Sequence, residues 1–165
     1  MPMFAQDNHT LAHKIIGSYT AGKKKIVTAE SCTGGLIAAA LTAIPGASAV
    51  VERGFVAYSN DAKIEVLGVP PDVLETHGAV SAETAEAMAI GALEFSRANV
   101  AVSVTGIAGP DGGTSSKPVG LVYFGLATRE GVIFHVRRDF KGTRSDIREQ
   151  AVTEALQLLA ANGAA

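Results

Sequence analysis

The chain has 165 residues, enough for one domain with a hydrophobic core of its own and no covalent staples. Hydrophobic residues make up 47% and charged residues 18%, which excludes a disordered chain, and a net charge of −2 lacks the basic excess of a nucleic-acid platform. The single cysteine, Cys32, excludes an intrachain disulfide and suits a reducing cytoplasm, and no apolar run approaches the ~20 residues of a membrane helix.

In chain order, Met1 to Thr10 is polar and lacks the basic-then-apolar layout of a signal peptide, so a cytoplasmic protein is expected. Leu11, Ile15, Ile16 and Tyr19 recur at helical spacing and predict an amphipathic helix over 9–22, followed by the charge run Lys23 to Lys25. Ile26 and Val27 open a short buried strand that stops at Thr28-Ala29-Glu30-Ser31-Cys32-Thr33-Gly34-Gly35. Leu36 to Ile44 reads as a helix, and Pro45-Gly46 as a turn. Val50 to Tyr58, rich in β-branched and aromatic residues, reads as a strand; Ser59-Asn60 caps a helix to Leu67, which Gly68 ends. Pro70-Pro71 reads as a second turn. Ser81 is the N-cap of an Ala-rich helix to Arg97. Val100 to Val104 is a strand that runs into a glycine-rich loop, Thr105 to Ser116. Val119 to Thr128 and Val132 to Phe140 form a hairpin around Arg129-Glu130-Gly131. Thr143 and Asp146 have the spacing of a capping box for a last helix to about Ala160.

Short apolar strands alternating with helices, and one late hairpin, predict a single α/β domain over 1–165: three layers, α/β/α, around a mixed, mostly parallel sheet. In open sheets of this kind ligands collect beyond the carboxyl ends of the strands. Two such ends carry unusual loops, 28–35 and 105–116. In the first, the Ser31 hydroxyl sits at a strand-to-helix turn, beside the free N–H groups of a helix start; it is either a nucleophile near an oxyanion site or, like Thr33, a helix cap. Cys32 reads as inert packing. Lys63 lies one turn into the helix after Tyr58 and can act as a base only if burial lowers its pKa. Thr105 to Gly113 is a ligand loop or a flexible turn. Arg144 and Arg148, one turn apart at a helix start, could bind a phosphate. His9 and His13, one turn apart, have no carboxylate companion, and no metal site is expected.

Together, the segments 28–35, Tyr58-Ser59-Asn60-Asp61-Ala62-Lys63, Gly78-Ala79-Val80-Ser81, Thr105-Gly106-Ile107-Ala108-Gly109-Pro110 and Lys117-Pro118-Val119-Gly120 resemble the successive motifs of the CinA C-terminal domain family, in order and in spacing, over about residues 10–160. The resemblance implies a fold like that of tRNA-synthetase anticodon-binding domains, a homo-oligomer, and a stand-alone nicotinamide-mononucleotide amidohydrolase that makes nicotinate mononucleotide and ammonia in pyridine nucleotide recycling. It implies a Ser–Lys acyl-enzyme mechanism with Ser31 as nucleophile and Lys63 as base, and no cofactor. Ser48, in the Pro45-Gly46-Ala47-Ser48 motif, is a further substrate contact or an alternative nucleophile. On that reading Tyr58 orients Lys63 or relays a proton, and backbone N–H groups of Cys32 to Gly35 hold the oxyanion. Thr33, Gly34, Gly35, Thr105 and Gly106 line the substrate site, with Arg144 and Arg148 at the phosphate. The alternatives are a non-catalytic nucleotide-binding or regulatory module and an amidase for another small amide.

Overall fold

The computed structural model describes residues 3–163; Met1 and Pro2, which open the polar segment read as lacking a signal peptide, lie outside the described residues. Six α-helices and five strands follow in the order α1 (Gln6–Ala21), β1 (Ile26–Glu30), α2 (Leu36–Thr42), β2 (Val51–Val56), α3 (Asn60–Leu67), α4 (Pro71–His77), α5 (Ala82–Glu94), β3 (Val100–Gly106), β4 (Leu121–Thr128), β5 (Ile133–Asp139) and α6 (Arg144–Asn162). A 3-10 turn, Ala47–Ala49, precedes β2. The sheet order is β2-β1-β3-β4-β5. β1 pairs in parallel with β2 and β3, while β4 is antiparallel to β3 and β5, so β4 alone runs against the other strands. The late hairpin forces that reversal, as its two-stranded pattern requires.

Side-chain alternation divides the core between the two faces of the sheet. Ile26, Val100, Val102, Val104, Phe124 and Leu126 pack with α1, α2 and α6 on one face. Val27, Ala29, Ala101 and Ala127 pack with α3, α4 and α5 on the other. This is the three-layer α/β/α arrangement, with the central strands β1 and β3 buried along almost their whole length. Among the described residues no helix is long and apolar enough to cross a membrane.

Local signals set the helix ends. Ser59 accepts from the Ala62 amide, Ser81 from the Thr84 amide, and Thr143 and Asp146 form the reciprocal capping box. Gly68, in the left-handed region at φ 65°, closes α3. Two helices depart from the sequence reading. Pro70-Pro71 does not merely turn the chain: Pro71 occupies the first turn of α4, where its missing N–H is no loss, with Asp72 beside it. The expected helix 82–97 stops at Glu94, where Arg53 Nη1 reaches round to bond the Phe95 carbonyl.

α3 lies close against α5 because Gly91 has no side chain. A Cβ there would collide with the Leu67 carbonyl, the last residue of α3. Helix propensity alone predicts that Gly91→Ala stabilises α5 by about 1 kcal/mol. The packing predicts the opposite sign, a loss of about 1–3 kcal/mol as α3 is pushed off. Urea unfolding decides: a lower midpoint with an unchanged slope is expected, and a midpoint at or above that of the parent would show that α3 does not depend on this approach.

Candidate active site

β1 ends at Glu30, and the parallel ladders run one step further on each side. The Ala57 amide donates to the Glu30 carbonyl at 2.9 Å, and the Ser31 amide donates to the Val104 carbonyl at 3.0 Å. Ser31 is thus pinned to the central strand before the chain turns into α2. Alternation then separates neighbours: Glu30 faces α2 and Ser31 faces α3.

The Glu30 carboxylate is fully buried. It accepts from the Ile37 amide at 2.8 Å, the Ala38 amide at 3.1 Å and the Thr33 hydroxyl at 2.6 Å. Gly35, the N-cap of α2 at φ 104°, offers no side chain for those amides, so a carboxylate from the preceding strand caps the helix and meets its positive end. The amides of Ile37 and Ala38 are thereby occupied. Among the described residues those of Cys32, Thr33 and Gly35 donate to no other residue. Glu30 stood in the sequence motif without a role. The signal that could have found it is a helix start lacking Ser, Thr, Asp or Asn at the cap, with a carboxylate at the end of the strand just before.

On the other face, α3 presents Lys63 and Leu67 from one side, i and i+4. Leu67 enters the apolar core and Lys63 is carried in with it, at 1% exposure. Lys63 Nζ lies 3.0 Å from Ser31 Oγ, 3.2 Å from the Ala57 carbonyl and 3.2 Å from the Tyr58 carbonyl. Among the described residues no carboxylate pairs with it. Burial lowers its pKa, opposed in part by the neighbouring Cys32. The partners also fix which way a neutral amine points. Carbonyls only accept, so the two remaining N–H groups go to Ala57 and Tyr58, and the lone pair is left to the Ser31 hydroxyl. The Cys32 thiol beside them is buried and pushed up to about 12, chiefly by desolvation, so it stays a thiol and is inert as a nucleophile at neutral pH.

Ser31 and Lys63 open on a cleft of about 270 Å³ at the carboxyl ends of the strands, shared with Cys32, Tyr58, Thr105, Gly106 and Arg144. The Thr105 hydroxyl donates to the Ala79 carbonyl at 2.6 Å, tying the glycine-rich loop to the segment before α5. Lys117 Nζ donates to the His77 carbonyl at 2.6 Å and braces the far side of the same loop. Asn60, Ala79, Val80 and Asp111, which lay within the sequence motifs and loops without a role of their own, also line the walls.

Of the residues named from sequence, not all meet here. Tyr58 reaches Lys63 through its carbonyl; its phenol is exposed and accepts from Arg144 Nη2 at 3.1 Å. Arg144 Nη1 donates to the Gly109 carbonyl at 2.7 Å, so its hydrogen-bond partners among the described residues are neutral, while Asp111 lines the same cleft. Arg148 lies outside the cleft. Its Nε and Nη2 hold the carbonyls of Cys32 and Thr33 at 3.1 and 3.2 Å, from behind the turn. Gly34 (φ 58°) and Gly35 shape that turn, and Thr33 is buried against Glu30. Ser48 sits in the 3-10 turn before β2, exposed and at the opposite ends of the strands from Ser31.

The model of the CinA C-terminal domain matches residues 8–162. A protein of Enterobacter agglomerans named nicotinamide-nucleotide amidohydrolase PncC is 50% identical over 149 residues, 90% of this chain and 91% of that protein. A putative competence-damage inducible protein of Caldicellulosiruptor bescii is 52% identical over 158 residues, 95% of this chain, but this chain spans only 38% of its length. A crystal structure titled competence/damage inducible protein CihA, from Agrobacterium tumefaciens, superimposes with a TM-score of 0.95 at 53% identity over 98% of each chain.

The lowered pKa of Lys63 makes a prediction about folding. Between that lowered value and the ordinary 10.5, the unfolded chain binds a proton that the folded chain has given up. Stability therefore rises with pH across this window, and below it the penalty is present in full. Lys63→Met removes the group. The stability of the parent relative to Lys63→Met should climb as pH is raised from neutral to 10.5. A difference that stays flat would show Lys63 to be as readily charged in the fold as in water.

Proposed function

The chain belongs to the CinA C-terminal domain family, and from that membership we propose that its cleft hydrolyses the carboxamide of nicotinamide mononucleotide, giving nicotinate mononucleotide and ammonia. The observation that carries the reading is the 3.0 Å contact between Ser31 Oγ and the buried Lys63 amine. A module that only bound a nucleotide would have no use for a lysine whose charge is suppressed beside a hydroxyl. The similar Enterobacter agglomerans protein, which this chain covers over nine tenths of its length, is named for that reaction.

The proposed chemistry follows from the donor count at Lys63. Its lone pair takes the Ser31 proton as Oγ attacks the carboxamide carbon. The negative charge on the former carbonyl oxygen is met by free amides of the turn, with that of Cys32, next to the nucleophile and in the cleft wall, the leading donor. Glu30 does not compete for those amides, since its carboxylate is occupied by the amides of Ile37 and Ala38. Lys63 returns the proton to the departing nitrogen, ammonia leaves, and Ser31 is left as an ester of the acid. The same amine deprotonates a water, which attacks the ester, and returns that proton to Ser31 Oγ as nicotinate mononucleotide leaves. The Tyr58 carbonyl orients Lys63 throughout. Serine and lysine supply nucleophile and base, so the proposed reaction calls for no metal or cofactor. In a cytoplasmic setting the product would re-enter pyridine nucleotide recycling.

Within this reading the phosphate belongs to Arg144, whose guanidinium stands at the cleft with only neutral hydrogen-bond partners among the described residues. Arg148 contributes by holding the turn rather than by touching phosphate.

Two kinetic outcomes follow. Ser31→Ala should lose turnover, and Lys63→Arg should lower kcat by about 10²–10⁴, because a guanidinium keeps its proton. The double variant should be scarcely worse than either single one, as expected of groups acting as a unit. Full activity in Lys63→Arg would remove the lysine as base, and an active Ser31→Ala with an inactive Ser48→Ala would move the nucleophile to Ser48. Separately, nicotinamide riboside, which lacks the phosphate, should show kcat/KM lower by at least about tenfold, given ~1.5–3 kcal/mol for a charge-assisted hydrogen bond. Equal kcat/KM for the riboside and the mononucleotide would discard the Arg144 assignment.

A further inference from the structure

A second cavity, of about 230 Å³, lies behind the catalytic turn, between the start of α1, the first residue of α2 and the first turns of α6. Its apolar walls include Phe4, Leu36 and Val152, and its polar groups include Asn8, Arg148 and Glu149. Asn8 is 1% exposed. One arm of its carboxamide lies 2.8 Å from the Thr153 hydroxyl, whose one hydrogen it shares with the Glu149 carbonyl at 3.1 Å. The other, Nδ2, is buried and has no hydrogen-bond partner among the described residues. A buried amide N–H left unpaired costs about 1–3 kcal/mol, which a bound acceptor would recover. Arg148 adds a second donor: its Nε and Nη2 are committed to the Cys32 and Thr33 carbonyls, and among the described residues Nη1 donates to no protein group. Glu149, an exposed residue of the lining, adds an acceptor.

We propose that this cavity binds a small, neutral, flat primary carboxamide, and that its occupancy is felt at Ser31 through Arg148. The ligand carbonyl accepts from Asn8 Nδ2 and Arg148 Nη1, its NH₂ donates to the Glu149 carboxylate, and its apolar body lies against Phe4, Leu36 and Val152. A carboxylate of the same shape would meet Glu149 as a like charge, and a hydrocarbon would leave Asn8 unpaired. The Arg148 guanidinium is the shared wall. On one side it faces the ligand, and on the other it holds the two carbonyls that set the turn between Ser31 and α2. The transmitted effect on rate rests on the amidohydrolase reading, whereas the binding does not.

The probe is benzamide, titrated into the ¹⁵N-labelled protein. The side-chain NH₂ signals of Asn8 should shift and saturate, and benzoate and toluene should bind at least about tenfold more weakly, the value of one lost hydrogen bond. Ser145→Trp fills the cavity from an exposed position in its wall. This variant should abolish the Asn8 shifts while leaving turnover of nicotinamide mononucleotide in the absence of benzamide unchanged. Benzamide should alter that turnover in the parent and not in Ser145→Trp. Shifts confined to Thr105 and Gly106, shifts that survive Ser145→Trp, or none up to the solubility limit would overturn the site. Saturable binding at Asn8 with turnover unaltered would overturn the transmission. A protein that bound benzamide at Asn8 yet turned over no nucleotide would uphold the site and reject the amidohydrolase reading.

Discussion

Placing a lysine amine in the interior of a protein is unfavourable unless it sheds its proton or finds partners, because desolvation penalises the charge far more than the neutral form. Here Lys63 Nζ is offered two main-chain carbonyls and one serine hydroxyl, and among the described residues no carboxylate. Burial favours the neutral amine, and the two carbonyls, which only accept, then leave its lone pair to Ser31. Much of the fold reads as the apparatus that keeps this amine in place. Leu67, one turn on, is buried in the apolar core and holds the helix face inward. Gly91 lets α5 come up against the end of α3, and Ser59 and Gly68 fix where α3 begins and ends. The two carbonyl partners belong to the segment leaving β2, which the Ala57 amide fastens to the Glu30 carbonyl.

The serine is held by an independent set of constraints. A strand alternates its side chains, so consecutive residues at the end of β1 serve opposite faces. Glu30 turns toward α2 and closes off its first amides; Ser31 turns toward α3 and meets the lysine. The turn between them and α2 is held from in front by the Val104 carbonyl and from behind by Arg148. A carboxylate that caps a helix and a guanidinium that grips two carbonyls do no chemistry themselves in the proposed reaction. They leave the nucleophile with few alternatives to its position, which is what preorganisation requires.

The layering of helices and strands was legible because its cues are local: hydrophobic period, caps at Ser59, Ser81 and Thr143, glycine stops. α4 was hidden because Pro70-Pro71 reads equally well as a turn or as the first turn of a helix, and seven residues are too few for a clear period. The pairing of Ser31 with Lys63 came from family motifs, since no local rule brings together residues 32 apart in sequence. The cap supplied by Glu30 was within reach of an argument from the missing N-cap of α2. The division of labour between Arg144 and Arg148 was not. One helical turn apart, they fall on either side of the catalytic turn, one at the cleft and one behind it, and only the packing of α6 against the sheet decides which is which. Likewise Ser48 and Ser31 share a similar motif context, but the direction of β2 carries them to opposite ends of the strands.

The central claim is that Ser31, activated by Lys63, is the atom that attacks the carboxamide. The most direct measurement is mass spectrometry of the protein quenched with acid during turnover of nicotinamide mononucleotide, followed by peptide mapping. The account predicts an ester of nicotinate mononucleotide on the peptide that carries Ser31, absent in Ser31→Ala. Steady turnover with the ester on the Ser48 peptide, or with no covalent adduct under conditions that trap esters, would contradict it.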